Sequence, residues 1–142
     1  MDYEIKIFSD IDPALKKDWE NLELNSYNYC FQSYEWFENW VNNLRFNNQN
    51  YSLCIAVVKY KSKVICIFPF EIVEKFKLKI LKWIGDKQSD YCSPILSKDY
   101  NFDKEKFKYL FKEVLKVIKN IDIVYFTKQP ENIYGLKNPF VL

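Results

Sequence analysis

A chain of 142 residues that is 49% hydrophobic and 19% aromatic can bury one sizeable core, and that composition excludes disorder. Its 21 basic residues face 19 acidic ones, and Arg45 is the lone arginine, whereas a nucleic-acid binder needs a clustered, arginine-bearing excess. No apolar run approaches the roughly 18 residues of a membrane span.

Tyr3 to Phe8 alternates apolar and charged residues and predicts a first strand. Asp12 followed by Pro13 is an N-cap with proline at the first helical position, and Leu15, Trp19 and Leu22 recur on one face of a helix ending near Asn25. Ser33 caps a second helix carrying Trp36, Phe37, Trp40, Val41 and Leu44, followed by a polar loop from Asn42 to Asn50. The runs SLCIAVVKY and VICIFPFEIV flank Lys61-Ser62-Lys63 and predict a hairpin. Pro69 inside the second run has no N–H for a ladder, so it predicts a bulge or an edge position. Phe76 to Ile84 reads as another strand, stopped by Gly85-Asp86, and GDKQSDYCSPIL reads as irregular and turn-rich. Phe107, Leu110, Phe111, Val114, Leu115 and Ile118 form an amphipathic helical stripe. IDIVYF is the last expected strand, and QPENIYGLKNPFVL follows without periodicity. The order β-α-α-β-β-β-α-β, with no repeat and no linker, predicts one α/β (α+β) domain over residues 1–142, a mixed sheet with helices on its faces.

Several chemistries are missing from this composition. The chain has no histidine, which rules out Ser-His and Cys-His nucleophile pairs within it. Gly85 and Gly135 are its two glycines, too few for a loop that cradles phosphates. Cys30, Cys54, Cys66 and Cys92 form no close ligand pair, and Cys54 and Cys66 fall inside apolar runs, so no metal is expected. Four unpaired structural thiols imply a reducing compartment, and MDYEIKIFSD resembles no signal peptide, so the expected location is the cytoplasm.

Four segments resemble, in order, those of the FemAB/CelD-like branch of the GNAT acyltransferases: FQSYEWFENW after the first helix, the hairpin ending in IFPF, WIGDKQSDYCSPIL, and NPF near the end. The resemblance implies a GNAT-like fold and the N-terminal, acceptor-side half of a two-half enzyme. Such an enzyme moves an acyl or aminoacyl group onto an amine or hydroxyl of a cell-envelope or polysaccharide precursor. It implies acetyl-CoA or another acyl-CoA for the whole protein, and a second GNAT-like half, or a homodimer, as partner. GNAT halves that bind coenzyme A carry a Q/R-x-x-G-x-G/A loop between the fourth strand and the next helix. Gly85 to Asp103 contains no such loop, so this chain is expected to bind no cofactor itself, as a fragment or as a half that lost the site. The alternative expectation is a non-catalytic, degenerate GNAT-like binding module.

Asp90 and Tyr91, in the irregular segment after a strand, are the expected acceptor-binding pair, against a turn aspartate and a core-closing tyrosine. Trp36 and Gln32 join them as groove candidates, although Trp36 and Trp40 at four-residue spacing also fit core packing. Glu35, Glu38 and Glu71 are the candidate general bases that a GNAT mechanism would want. The stripe Lys104, Lys108, Lys112 and Lys116 reads as a solvated face, or as a face for an anionic surface.

Overall fold

A computed structural model describes residues 2–43 and 50–141. Leu44, Arg45 and most of the expected polar loop lie outside these residues. The first strand, β1, spans Tyr3–Phe8. Helix α1 spans Pro13–Glu23, and Asp12 caps it by accepting from the Ala14 N–H at 2.7 Å. Strand β2, Ser26–Tyr27, and a 3-10 turn at Cys30–Gln32 lead into α2, Tyr34–Asn43, where Ser33 Oγ accepts from the Trp36 N–H. Then come β3 (Tyr51–Tyr60), β4 (Lys63–Lys75), β5 (Leu78–Trp83), β6 (Ile95–Ser97) and α3 (Lys104–Ile118). Short strands β7 (Ile123–Val124), β8 (Asn132–Ile133) and β9 (Leu136–Lys137) complete the described chain.

The main sheet runs β1-β3-β4-β5-β7, antiparallel until β7, which pairs parallel to β5. A parallel neighbour needs a crossover, and α3 supplies it. Alternation along β3 feeds two cores. Leu53, Ile55 and Val57 meet Trp19, Phe37 and Trp40 of α1 and α2, while Cys54, Ala56 and Val58 face the side covered by α3. On that second side Phe68, Phe70, Trp83, Phe126 and Phe140 form a continuous aromatic cluster, with Phe70 and Phe126 stacked at 5.1 Å.

Four expectations need correcting. Phe76 opens no strand. It and Lys77 form the β4–β5 turn at φ 52° and 62°, and the Phe76 ring is 86% exposed. Lys61 and Ser62 turn the β3–β4 hairpin in the same left-handed way, so strand twist imposes here the geometry that Asn-Gly usually supplies. The irregular segment holds β6, which pairs with β4 and with β2 across some seventy residues of sequence. The tail folds back as the β8–β9 hairpin, tied by buried Asn138, whose Nδ2 donates to the Pro130 carbonyl at 2.8 Å.

Pro69 sits at neither a bulge nor an edge. It pairs with Ile55 in the centre of the sheet, and the register shift of that hairpin lies at Val58/Lys59. Its carbonyl accepts from the Ile84 N–H at 2.9 Å, so its backbone polar side faces away from β3. The missing donor therefore leaves the β3 ladder intact.

Candidate functional site

The edge of β4 away from β3 is shared. Cys66 and Ile67 pair with β6, while Phe70 to Lys75 pair with β5, so the sheet forks at Phe68-Pro69. A cavity of about 10 Å³ fills the fork, lined on the helix side by Trp19, Gln32 and Trp36 and on the sheet side by Pro69, Trp83 and Ser93. That is room for a single water and for no substrate. Two buried polar atoms, Trp83 Nε1 and Ser93 Oγ, have no hydrogen-bond partner. Gln32 ties the two walls together. Its Oε1 accepts from the Tyr29 N–H at 3.0 Å, its Nε2 donates to the Tyr91 carbonyl at 2.8 Å, and its own carbonyl accepts from Trp19 Nε1 at 2.9 Å.

Gln32, Trp36 and Tyr91 are thus neighbours, though Gln32 is buried and spends both ends of its amide on backbone. Asp90 is exposed and outside the cavity. The Tyr91 ring is 46% exposed and stacks on Tyr29 at 4.8 Å, and Tyr29 also meets Tyr134 at 4.7 Å. The Tyr29 hydroxyl donates to the Asn132 carbonyl, which anchors this triple stack to the β8–β9 hairpin. Tyr29, Tyr91 and Tyr134 therefore form a partly open aromatic surface, and Asp90 precedes Tyr91 in the chain. Sequence reasoning missed Tyr29 and Tyr134, because the contact that unites them with Tyr91 is tertiary.

The sheet face under α1 and α2 carries a second polar group. Glu71 on β4 is 2% exposed, stands in register with Lys82 on β5, and has one carboxyl oxygen without a partner. Burial pushes its carboxyl up to about 8, Lys82 pulls it down, and Asp86 raises it again. Burial pulls Lys82 down as well, but the Asp86 carboxylate, 2.9 Å from its ammonium, more than offsets that. Glu71 is thus a carboxyl poised to exchange a proton near neutral pH. Glu35 is exposed, and Glu38 is partly exposed at 4.0 Å from Lys16. Of the three glutamates named from sequence, Glu71 alone has a strongly altered environment.

The deciding feature of the architecture is the antiparallel β1-β3-β4-β5 array extended by a parallel β7 after the α3 crossover. A solved structure titled as a GNAT family acetyltransferase from Staphylococcus aureus subsp. aureus USA300_TCH1516 superposes on it with a TM-score of 0.51. The superposition covers 93% of this chain and 90% of that one, at 9% sequence identity. The chain has the GNAT fold. No protein-family model and no curated protein matches the sequence.

In this GNAT fold the β5–α3 connection begins at Gly85, at φ +56°. A Cβ there would run into Trp36 Cη2 and come within 2.8 Å of Trp40 Nε1, so the glycine makes room for two tryptophans. At the far end Asp103 caps α3. Its carboxylate accepts from the Lys106 N–H at 2.9 Å and is held low by that bond and by the Lys106 ammonium. Glu105 adds a second negative charge in the first turn. In the described residues the cysteines are all free, and no cluster of potential ligands could hold a metal. No described helix is long and apolar enough to cross a membrane.

Proposed function

We propose that this chain is the acceptor-side half of a FemAB/CelD-like acyltransferase. It would present an amine or hydroxyl of an envelope or polysaccharide precursor to an acyl or aminoacyl donor held elsewhere, on a second GNAT-like half or a partner copy. The GNAT strand order of the sheet is the observation that carries the reading. Glu71, whose carboxyl burial pushes up to about 8, would take the proton that the acceptor loses on attacking the donor carbonyl in its ionised form, above that pH. Asp90 and the exposed Tyr91 would hold the acceptor, with Gln32 and Trp36 fixing the segment that bears them.

The residues of the β5–α3 connection do not fit a diphosphate. Gly85 is filled by Trp36 and Trp40, and the Asp103 carboxylate already occupies the helix N-terminus where an anion would seek free N–H groups. Both features support a donor site outside this chain. Calorimetry with acetyl-CoA should show no saturable heat, whereas micromolar affinity, about −8 kcal/mol, would overturn the acceptor-side assignment. Titration with amino sugars and envelope disaccharide precursors should change tryptophan fluorescence in the wild type and less so in Asp90→Asn. Absence of a response to every acceptor class in the wild type would sink the acceptor reading.

A further inference from the structure

A groove on the α3 side of the molecule encloses about 260 Å³ between the first half of α3 and the tail. Its floor is Phe107, Phe111, Pro139 and Phe140, and its rim is Lys104, Lys108 and Lys112. Of the lysines in α3, Lys106 pairs with Asp103 and Lys116 with Glu113. The three rim lysines are exposed, and among the described residues no carboxylate lies within ion-pair distance of them. The ion pairs of α3 among the described residues thus involve Lys106 and Lys116, and none involves a lysine of the groove rim.

We infer that this groove docks an acidic amphipathic helix of a partner protein. Four-residue steps place the three ammoniums on one line spanning about 12 Å. Carboxylates on a facing helix at the same four-residue spacing match that line. On α3, Phe107 and Phe111 each precede a rim lysine by one position, so apolar and basic stripes sit about 100° apart. A partner helix can present leucines and glutamates on adjacent faces at that angle. An extended strand cannot, because its alternate side chains point to opposite sides. A lipid surface is the poorer fit: Phe107 and Pro139 of the floor are buried below the lysines, and neither protrudes to insert. The arrangement is a helix-in-groove site with its selectivity written in charge.

The test uses a fluorescently labelled helical peptide of about five turns, with leucines on one face and glutamates at four-residue spacing beside them. Fluorescence anisotropy should show saturable binding that weakens with added salt. Lys104→Glu, Lys108→Glu and Lys112→Glu together should weaken it about tenfold or more and create binding to the lysine version of the peptide. Circular dichroism checks that this surface variant folds, and two peptide variants test the idea without it. The lysine version and a version with serines for leucines should not bind wild type. Binding of the serine version, equal binding by the charge-reversed protein, or displacement of the peptide by acetyl-CoA would each overturn the inference. So would attachment to phosphatidylserine vesicles without peptide binding.

Discussion

Glu71→Gln isolates the consequence of burying an ionisable group in the sheet. Glutamine matches the protonated carboxyl in shape and cannot ionise. In wild type the folded chain holds the Glu71 proton up to about pH 8, while the unfolded chain releases it near 4.5. Between those values the folded state binds more protons, so its stability falls as pH rises, and the loss is complete above about 8. The gap corresponds to at most about 5 kcal/mol, a large share of the 5–15 kcal/mol typical of a domain. Urea unfolding of both proteins at intervals from pH 4 to 9 measures it, and the difference between the two curves cancels the titrating groups that Glu71 does not touch, leaving its coupling to Lys82 and Asp86 within the difference. The glutamine variant should gain on wild type steadily through that window and hold its gain beyond it. Parallel curves would refute the argument, and so would a wild type that stabilises relative to the variant as pH rises.

Gly85→Ala should lower stability by about 2–4 kcal/mol, since it combines overpacking against Trp36 and Trp40 with a left-handed backbone. A fall in melting temperature with altered tryptophan emission would show it, and an unchanged melting point would contradict the packing role. Burial pushes the Cys54 thiol up to about 12 and that of Cys92 to about 11, and it raises that of Cys66 well above the usual thiol range, whereas Cys30 is exposed. A disulfide reagent at pH 8 should therefore modify one thiol quickly in the native protein and all four after denaturation. More than one fast native thiol would contradict the burial.

Elements with a clean period were legible. Tyr3–Phe8, the capped helix at Pro13, the Ser33-capped helix and the stripe from Phe107 to Ile118 all stand where their patterns put them. Pieces defined by distant pairing were not. Ser26–Tyr27 is a strand because Leu96 and Ser97 lie beside it, and neither segment is long enough to alternate. The turn at Phe76-Lys77 lacks the glycine or asparagine that would announce it, so alternation alone starts the strand at Phe76, inside the turn. The site divides the same way. Glu71 had a signal, being the lone charge inside VICIFPFEIV, but its distinction from Glu35 and Glu38 comes from depth, which sequence does not carry. Gln32 and Tyr91 were named from local pattern, whereas their hydrogen bond and the Tyr29–Tyr91–Tyr134 stack required the fold.

Pro69 links these two levels. An antiparallel pair normally exchanges two backbone bonds, and Ile84 gives its N–H to the Pro69 carbonyl. Proline has no N–H to return, so the ladder between β4 and β5 ends at the Phe70–Trp83 pair. Pairing on that edge resumes only at Ile67, and the new partner is Ile95 of β6. The chain between Trp83 and Ile95 must therefore leave the sheet and return to it. That excursion holds Gly85 under the tryptophans, places Ser93 in the fork, and carries Asp90 and Tyr91 to the surface beside Tyr29. The proline thus marks the point where β4 exchanges β5 for β6, and the irregular segment with its exposed polar and aromatic groups leaves and re-enters the sheet on either side of it.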